Sequence, residues 1–175
     1  MSNWNEQESK ALHETIMEHK EDNSTESIFD ESWERECPAY EISNNVSPVS
    51  DKVIICLESA AVYLGLCNGM YFQKYPVYSA ENIASAGLDV IVLPDCFESK
   101  QHIVRNDMYI TTEEQTILDM LEYYDRIDIQ ALIEALSGYY FTHNETFGSI
   151  PEMLNEQQAV VFDRWKQDAI EYYSY

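Results

Sequence analysis

Carboxylates are the side chains with which this sequence is best equipped for chemistry. Its 175 residues contain 32 Asp and Glu against 10 Lys and Arg, a formal net charge of −22. Paired carboxylates can act as general acid and base or bind a divalent cation. Asp125 and Asp128, three residues apart, are candidates for a cation, but Asp128 also precedes a helical pattern and suits its N-cap. Capping is the favoured interpretation, because carboxylate pairs occur throughout this chain.

Histidine and cysteine, the other side chains that bind metals or attack substrates, form no recognisable motif. The histidines are His13, His19, His102 and His143, and the cysteines are Cys37, Cys56, Cys67 and Cys96. The sequence contains no HExxH, no CxxC, no glycine-rich phosphate loop and no GxSxG serine motif. It therefore predicts no metal site, no cofactor and no catalytic residue. An enzyme is an alternative only if distant carboxylates assemble a site.

The sign of the charge restricts the partners. Direct binding of DNA or RNA requires basic residues that release counterions, and no three Lys or Arg residues are adjacent here. Anionic membranes are disfavoured for the same reason. A net charge of about 2–8 keeps a small domain soluble, so −22 indicates a surface that contacts a basic partner. Without a signal peptide or an apolar stretch of membrane-spanning length, we expect a cytoplasmic protein with reduced thiols.

The composition divides the chain into two parts. Residues 1–50 are expected to form an acidic N-terminal extension, helical over residues 6–20 or folding on binding. Within it, residues 37–50 are expected to be a loop or linker, because they contain Pro38, Pro48 and several Asn and Ser residues. Residues 51–175 are expected to form one domain, because their apolar residues recur at strand and helix spacings.

The order of these patterns predicts an α+β fold, with a small mixed or antiparallel sheet, packed helices and a helical C-terminal half. The expected strands are Val53–Ile55 and residues 73–78, 89–93, 103–104 and 108–110, with a turn at Asn106 and Asp107. The expected helices are residues 58–66 before Asn68-Gly69, one opened by Thr112 and Gln115, one from Asp128 to Gly138, and residues 156–173.

Three segments of residues 53–154 resemble a known family. Residues 56–67, CLESAAVYLGLC, are similar to the segment S-H-E-S/T-A-L-Y-L-H-G-L that follows the DNA-binding part of AbiEi-type antitoxins. Residues 112–121, TEEQTILDML, and 125–136, DRIDIQALIEAL, resemble the two helices that come later in that family. The matching positions are Glu58, Ser59, Ala60, Tyr63, Leu64 and Leu66, then Glu114, Thr116, Ile117, Asp119 and Leu121.

The resemblance implies an antitoxin-like α+β body. AbiEi-type antitoxins join such a body to a winged-helix DNA-binding domain, counter a nucleotidyltransferase-like toxin and repress their own operon. Residues 1–50 depart from that pattern, because they carry a net charge of −9 and no basic recognition helix. DNA binding and autorepression are therefore not expected. Of the polar matches Glu58, Thr116 and Asp119, the last two are expected to make buried, structural hydrogen bonds.

An antitoxin-like body with an acidic extension in place of a DNA-binding domain favours a nucleic-acid mimic. Such a protein would be a non-enzymatic inhibitor that blocks the basic nucleic-acid-binding surface of a bacterial nuclease or of a CRISPR or restriction effector. The expected contact residues are Glu21, Asp22, Glu26, Asp30, Glu31, Trp33, Glu34 and Glu36 in the extension and Glu113, Glu114, Glu122, Tyr123 and Asp125 on the helices.

Three alternatives stay open. The chain could be an antitoxin-like protein that neutralises a nucleotidyltransferase-type toxin by direct binding. It could be an enzyme or a structural subunit. The carboxylates could also form no more than a solvated face, as runs of charge commonly do. The sequence does not predict the oligomeric state.

Overall fold

The computed structural model describes residues 38–68 and 74–172. In that part of the chain, five strands form one sheet and seven α-helices surround it, which confirms the predicted α+β class. In chain order the elements are α1 (Pro38–Val46), β1 (Val53–Ile55), α2 (Leu57–Leu64), β2 (Tyr75–Ser79), β3 (Leu88–Val92), α3 (Cys96–Ser99), β4 (His102–Arg105), β5 (Met108–Thr111), α4 (Glu113–Glu122), α5 (Ile129–Thr142), α6 (Ile150–Met153) and α7 (Glu156–Glu171).

The sheet is mixed and has the strand order β3-β2-β1-β5-β4. β1 pairs antiparallel with β2 and parallel with β5, so that Ile54 lies opposite both Tyr78 and Tyr109. β2 and β3 are parallel, and β4 and β5 form a hairpin. The predicted turn of that hairpin is confirmed, with Asn106 and Asp107 at φ +51° and +59°. β1 is apolar at all three positions because both of its faces are buried.

α1 contradicts the loop or linker predicted for residues 37–50 over Pro38–Val46, and Cys37 lies outside the described residues. α1 belongs to the compact unit that begins at Pro38, and its Ile42 and Val46 are fully buried in the core. Proline at the start of a helix costs no hydrogen bond, because its missing N–H would have no helical partner there. Residues four apart lie on one helix face, which is why Ile42 and Val46 reach the core together.

Two glycines have other roles than the sequence predicts. α2 was expected to end at Asn68-Gly69, but it ends at Leu64, and Gly65 caps it in the left-handed region at φ +78°. α5 was expected to end at Gly138, but it continues to Thr142. A Cβ atom at Gly138 would lie 2.4 Å from the carbonyl oxygen of Leu66. Gly138 therefore permits close approach of α5 to the chain after α2.

Side-chain caps begin the three long C-terminal helices. Thr112 Oγ1 accepts a hydrogen bond from the backbone N–H of Gln115 at the start of α4, as predicted. Asp128 Oδ1 accepts one from the N–H of Gln130 at 2.7 Å, which confirms its predicted capping of α5. Asn155 and Gln158 form a complete capping box at the start of α7. These caps satisfy N–H groups that the helices leave without partners.

Within residues 38–68 and 74–172, no helix is both long and apolar enough to cross a membrane.

Candidate partner-binding site

Eight of the predicted contact residues lie outside the described residues. They are Glu21, Asp22, Glu26, Asp30, Glu31, Trp33, Glu34 and Glu36. The structure therefore bears on the other five, Glu113, Glu114, Glu122, Tyr123 and Asp125, which lie on α4 and just after it.

Glu113 and Glu114 occupy the first turn of α4. Glu114 Oε1 accepts a hydrogen bond from the Tyr139 hydroxyl at 3.3 Å, and Glu113 Oε2 lies 3.8 Å from His143 Nε2. Burial, together with the negative charge of Glu114, raises the pKa of Tyr139 to about 12. Carboxylates are also favoured at a helix N-terminus by the helix dipole. Both residues therefore have roles within the fold that join α4 to the end of α5.

Glu122, Tyr123 and Asp125 lie together at the opposite end of α4. Glu122 and Asp125 are exposed, whereas Tyr123 is half-buried. The guanidinium carbon of Arg126 lies 5.8 Å from the centre of the Tyr123 ring. This end of the helix presents two carboxylates beside an aromatic ring, which is the chemistry predicted for a surface that meets arginines.

The two ends of α4 do not form one acidic row. Residues 116–121 between them are all buried. At about 1.5 Å per residue, Glu113 and Glu122 are separated by about 13 Å along the helix axis. Three of the five predicted contact residues, which are neighbours in the sequence, thus lie at one end of α4, and Glu113 and Glu114 lie at the other.

The last turns of α4 and α7 carry carboxylates where the helix dipole favours cations. Glu122 ends α4, Asp168 and Glu171 lie in the last turn of α7, and neither last turn contains a basic residue. A charge of the wrong sign at a helix end costs about 0.3–1 kcal/mol at an exposed position. These carboxylates therefore lie where the local helix electrostatics oppose them.

Tyr123 adjoins a buried polar cluster that sequence reasoning identified only in part. Asp119 is buried, as predicted, and its Oδ1 accepts hydrogen bonds from Lys100 Nζ at 2.7 Å and Gln115 Nε2 at 2.8 Å. Lys100 Nζ also lies 5.1 Å from the centre of the Tyr78 ring. Lys100 was missed because no spacing along the chain relates it to Asp119. The predicted hydrogen bonds of Thr116 are confirmed, with its hydroxyl 2.7 Å from both Thr111 Oγ1 and the Thr112 carbonyl oxygen.

The electrostatics of this cluster favour a structural role. Burial raises the pKa of Asp119, although Lys100 and Gln115 act to lower it. Burial alone would lower the pKa of Lys100, but the Asp119 carboxylate raises it. Burial also raises the pKa of the Cys56 thiol. Since the thiolate is the reactive form of cysteine, this thiol is not activated as a nucleophile.

Glu58, the third polar residue of the resemblance, is also structural. Its Oε1 accepts a hydrogen bond from the backbone N–H of Asp128 at 3.2 Å, which connects α2 to the start of α5. Only 8% of the residue is exposed, and burial raises the pKa of its carboxyl group. Glu58 borders a small cavity of about 150 Å³ with Lys74, Asp89 and Arg126.

Residues 38–68 and 74–172 contain no group of three or more His, Cys, Asp or Glu side chains placed to hold a metal ion. Neither a protein-family model nor a curated protein matches the chain.

Proposed function

We propose that this protein is a non-enzymatic inhibitor whose carboxylate-rich surface occupies the basic nucleic-acid-binding site of a bacterial nuclease or of a CRISPR or restriction effector. The first support for the proposal is the excess of carboxylates over cations. Residues 38–68 and 74–172 alone contain 21 Asp and Glu against 7 Lys and Arg. Three of those cations, Lys52, Lys100 and Lys166, lie within 4.0 Å of a carboxylate of the chain itself. Sixteen of the 21 carboxylates are exposed, so that the excess of negative charge lies on the surface.

The single observation that carries the proposal is the position of Glu122 and Asp125. Glu122 is exposed in the last turn of α4, where the helix dipole opposes a negative charge and no basic residue is present, and Asp125 is exposed in the turn that follows. The Lys100 ammonium offsets part of this cost for Glu122, whose charge helps to raise the pKa of Lys100, and both carboxylates stay exposed to a partner. An arginine-rich channel would accept them, because a guanidinium group binds a carboxylate through two parallel hydrogen bonds.

The test is competition with DNA. A guide-loaded CRISPR effector and a restriction endonuclease would each be incubated with fluorescent DNA while the full-length chain is titrated in. We expect the protein to displace DNA from a basic effector, and the inhibition to weaken as the salt concentration increases. Glu122→Lys should weaken inhibition, whereas the matched reversal Asp51→Lys, at an exposed residue outside α4, should not. Absence of DNA displacement across a panel of such effectors would reject the proposal.

A second candidate is an antitoxin-like protein that neutralises a nucleotidyltransferase-type toxin by direct binding. The observation in its favour is the burial of Glu58, Thr116 and Asp119, the polar residues that carry the resemblance to AbiEi-type antitoxins. Buried polar residues at matching positions would be expected if this chain and those antitoxins share the same α+β body. Co-expression with such a toxin distinguishes the candidates, because an antitoxin restores growth without competing for DNA.

A further inference from the structure

An apolar groove lies between α7 and the chain that follows α5. Its walls, which we call the aromatic groove, are Tyr140, Phe147, Pro151, Leu154, Ala159 and Phe162. The centre of the Phe147 ring lies 5.0 Å from that of Tyr140 and 4.9 Å from that of Phe162, the latter edge to face. The groove has a volume of about 550 Å³, within the range of about 300–1,000 Å³ that is usual for ligand sites.

Carboxylates dominate the rim of this groove. Glu145 and Asp163 lie on it, together with Lys166. Lys166 is already engaged, with its Nζ 2.6 Å from Asp163 Oδ1 and 5.8 Å from the centre of the Phe162 ring. Glu145 is exposed and takes part in no ion pair among the described residues. An apolar floor is thus bordered by an Asp163–Lys166 ion pair and by one carboxylate, Glu145, that no ion pair of the described residues compensates.

We propose that the aromatic groove binds an amphipathic segment of the basic partner, with one aromatic side chain in the groove and flanking Lys or Arg residues at the rim. This inference rests on the proposed function and specifies the chemistry of the partner at one site. Charge complementarity selects the occupant, because a chain of net charge −22 attracts cationic segments and repels acidic ones. A second copy of the chain is disfavoured, since two rims of the same sign would meet.

The aromatic groove would supply binding energy that does not depend on charge. Complementary charges accelerate association, but their effect is screened by salt. Aromatic anchors in desolvated pockets commonly provide most of the binding energy at an interface. A partner held at the aromatic groove should therefore remain bound at salt concentrations that weaken purely electrostatic contacts.

A synthetic peptide tests this without knowledge of the partner. The probe is a short, fluorescein-labelled peptide with one Trp between Lys residues, and its binding to the full-length chain is measured by fluorescence anisotropy. We expect Ala159→Arg, which extends a side chain into the groove, to weaken binding about tenfold or more. Val160→Arg is the matched control, because Val160 is the next residue of α7, is 71% exposed and receives the same charge. We expect it to weaken binding less than about twofold.

Further arms of the experiment make the result decisive. Ala159→Gln fills the groove without a charge and should also weaken binding, and thermal unfolding checks that each variant is folded. A peptide with Ala in place of Trp should bind more weakly than the original. Equal weakening by Ala159→Arg and Val160→Arg, or no effect of removing Trp, would overturn the inference. Dimerisation of the wild-type chain that Ala159→Arg abolishes would also overturn it, in favour of a second copy as occupant.

The inhibitor function and the docking site can be rejected independently of each other. Peptide binding with the expected dependence on Ala159, but no displacement of DNA from any effector, would reject the inhibitor function and retain the docking site. Displacement of DNA that is unaffected by Ala159→Arg, together with absence of peptide binding, would reject the docking site alone.

Discussion

Lys100 and Asp119 form an ion pair between the chain after α3 and the middle of α4, with 2.7 Å between Nζ and Oδ1 and side-chain exposures of 14% and 1%. Gln115 donates a second hydrogen bond to the same carboxylate oxygen. Two charges removed from water are stable only when each compensates the other. The position of α4 therefore depends on Lys100. The positions of Glu122 and Tyr123, at the end of α4, depend on Lys100 in the same way.

Removal of one partner should destabilise the fold strongly. We expect Lys100→Met or Asp119→Leu to lower the free energy of unfolding by about 3–5 kcal/mol, because each leaves an uncompensated buried group. The double variant should be more stable than the sum of the single effects implies. Lys52→Met is the control, since Lys52 lies 4.0 Å from Glu81 on the surface and should change stability by less than about 1 kcal/mol. Urea unfolding followed by circular dichroism measures all four. Strict additivity would contradict the expected coupling.

Glu58 should make stability depend on pH. Because burial raises its pKa in the folded state, the folded protein holds the proton at pH values where the unfolded chain has released it. Its contribution to stability is therefore complete below the ordinary glutamate pKa of about 4.3 and is lost as the pH rises through the raised value. Glu58→Gln retains an oxygen for the Asp128 N–H but cannot titrate.

Comparison of the wild type with Glu58→Gln separates the titration of Glu58 from the repulsion among the other carboxylates of the chain. We expect the free energy of unfolding of the wild type, minus that of Glu58→Gln, to fall as the pH rises from about 4 through the raised pKa. Urea unfolding at several pH values measures it. A difference that is constant with pH, or that rises, would show that the pKa is not raised.

The two ends of α4 should respond oppositely to loss of charge. We expect Glu114→Gln to destabilise the protein by about 0.3–1 kcal/mol, because this residue favours the helix dipole and accepts a hydrogen bond from Tyr139. Glu122→Gln should leave stability unchanged or raise it by a few tenths of a kcal/mol, since relief of the unfavourable interaction with the dipole offsets or exceeds the lost attraction to Lys100. Thermal unfolding of the matched pair measures both. A destabilising Glu122→Gln would remove the main support for a binding role of this carboxylate.

Gly138 should tolerate no side chain. We expect Gly138→Ala to destabilise the fold by about 1–3 kcal/mol, because its Cβ would lie 2.4 Å from the Leu66 carbonyl oxygen and force α5 away. Ser137→Ala is the neighbouring control. The hydroxyl of Ser137 is buried without a hydrogen-bond partner in the described part of the chain, so its removal should be neutral or stabilising. If Gly138→Ala were as stable as the wild type, the close approach would not constrain the fold.

Local sequence patterns were sufficient wherever the deciding interaction is local. The apolar run at β3, the turn at Asn106 and Asp107, and the caps Thr112 and Asp128 were all predicted, because each depends on residues a few positions apart. The predictions for residues 37–50, Asn68-Gly69 and Gly138 were wrong. In α1 the burial of Ile42 outweighed a composition typical of loops, and at Gly138 a contact with a distant carbonyl explains the glycine.

The sequence by itself determined the charge of −22 and the α+β class, because composition and periodicity contain this information, while the burial of Thr116 and Asp119 was expected from the family resemblance. Only the tertiary structure decided which carboxylates have partners within the fold. It assigned Glu113 and Glu114 to contacts with α5 and paired Asp119 with Lys100, whereas Glu122, Tyr123 and Asp125 are already neighbours in the sequence. The reason is physical: these contacts join segments that are far apart along the chain, and no local spacing expresses them.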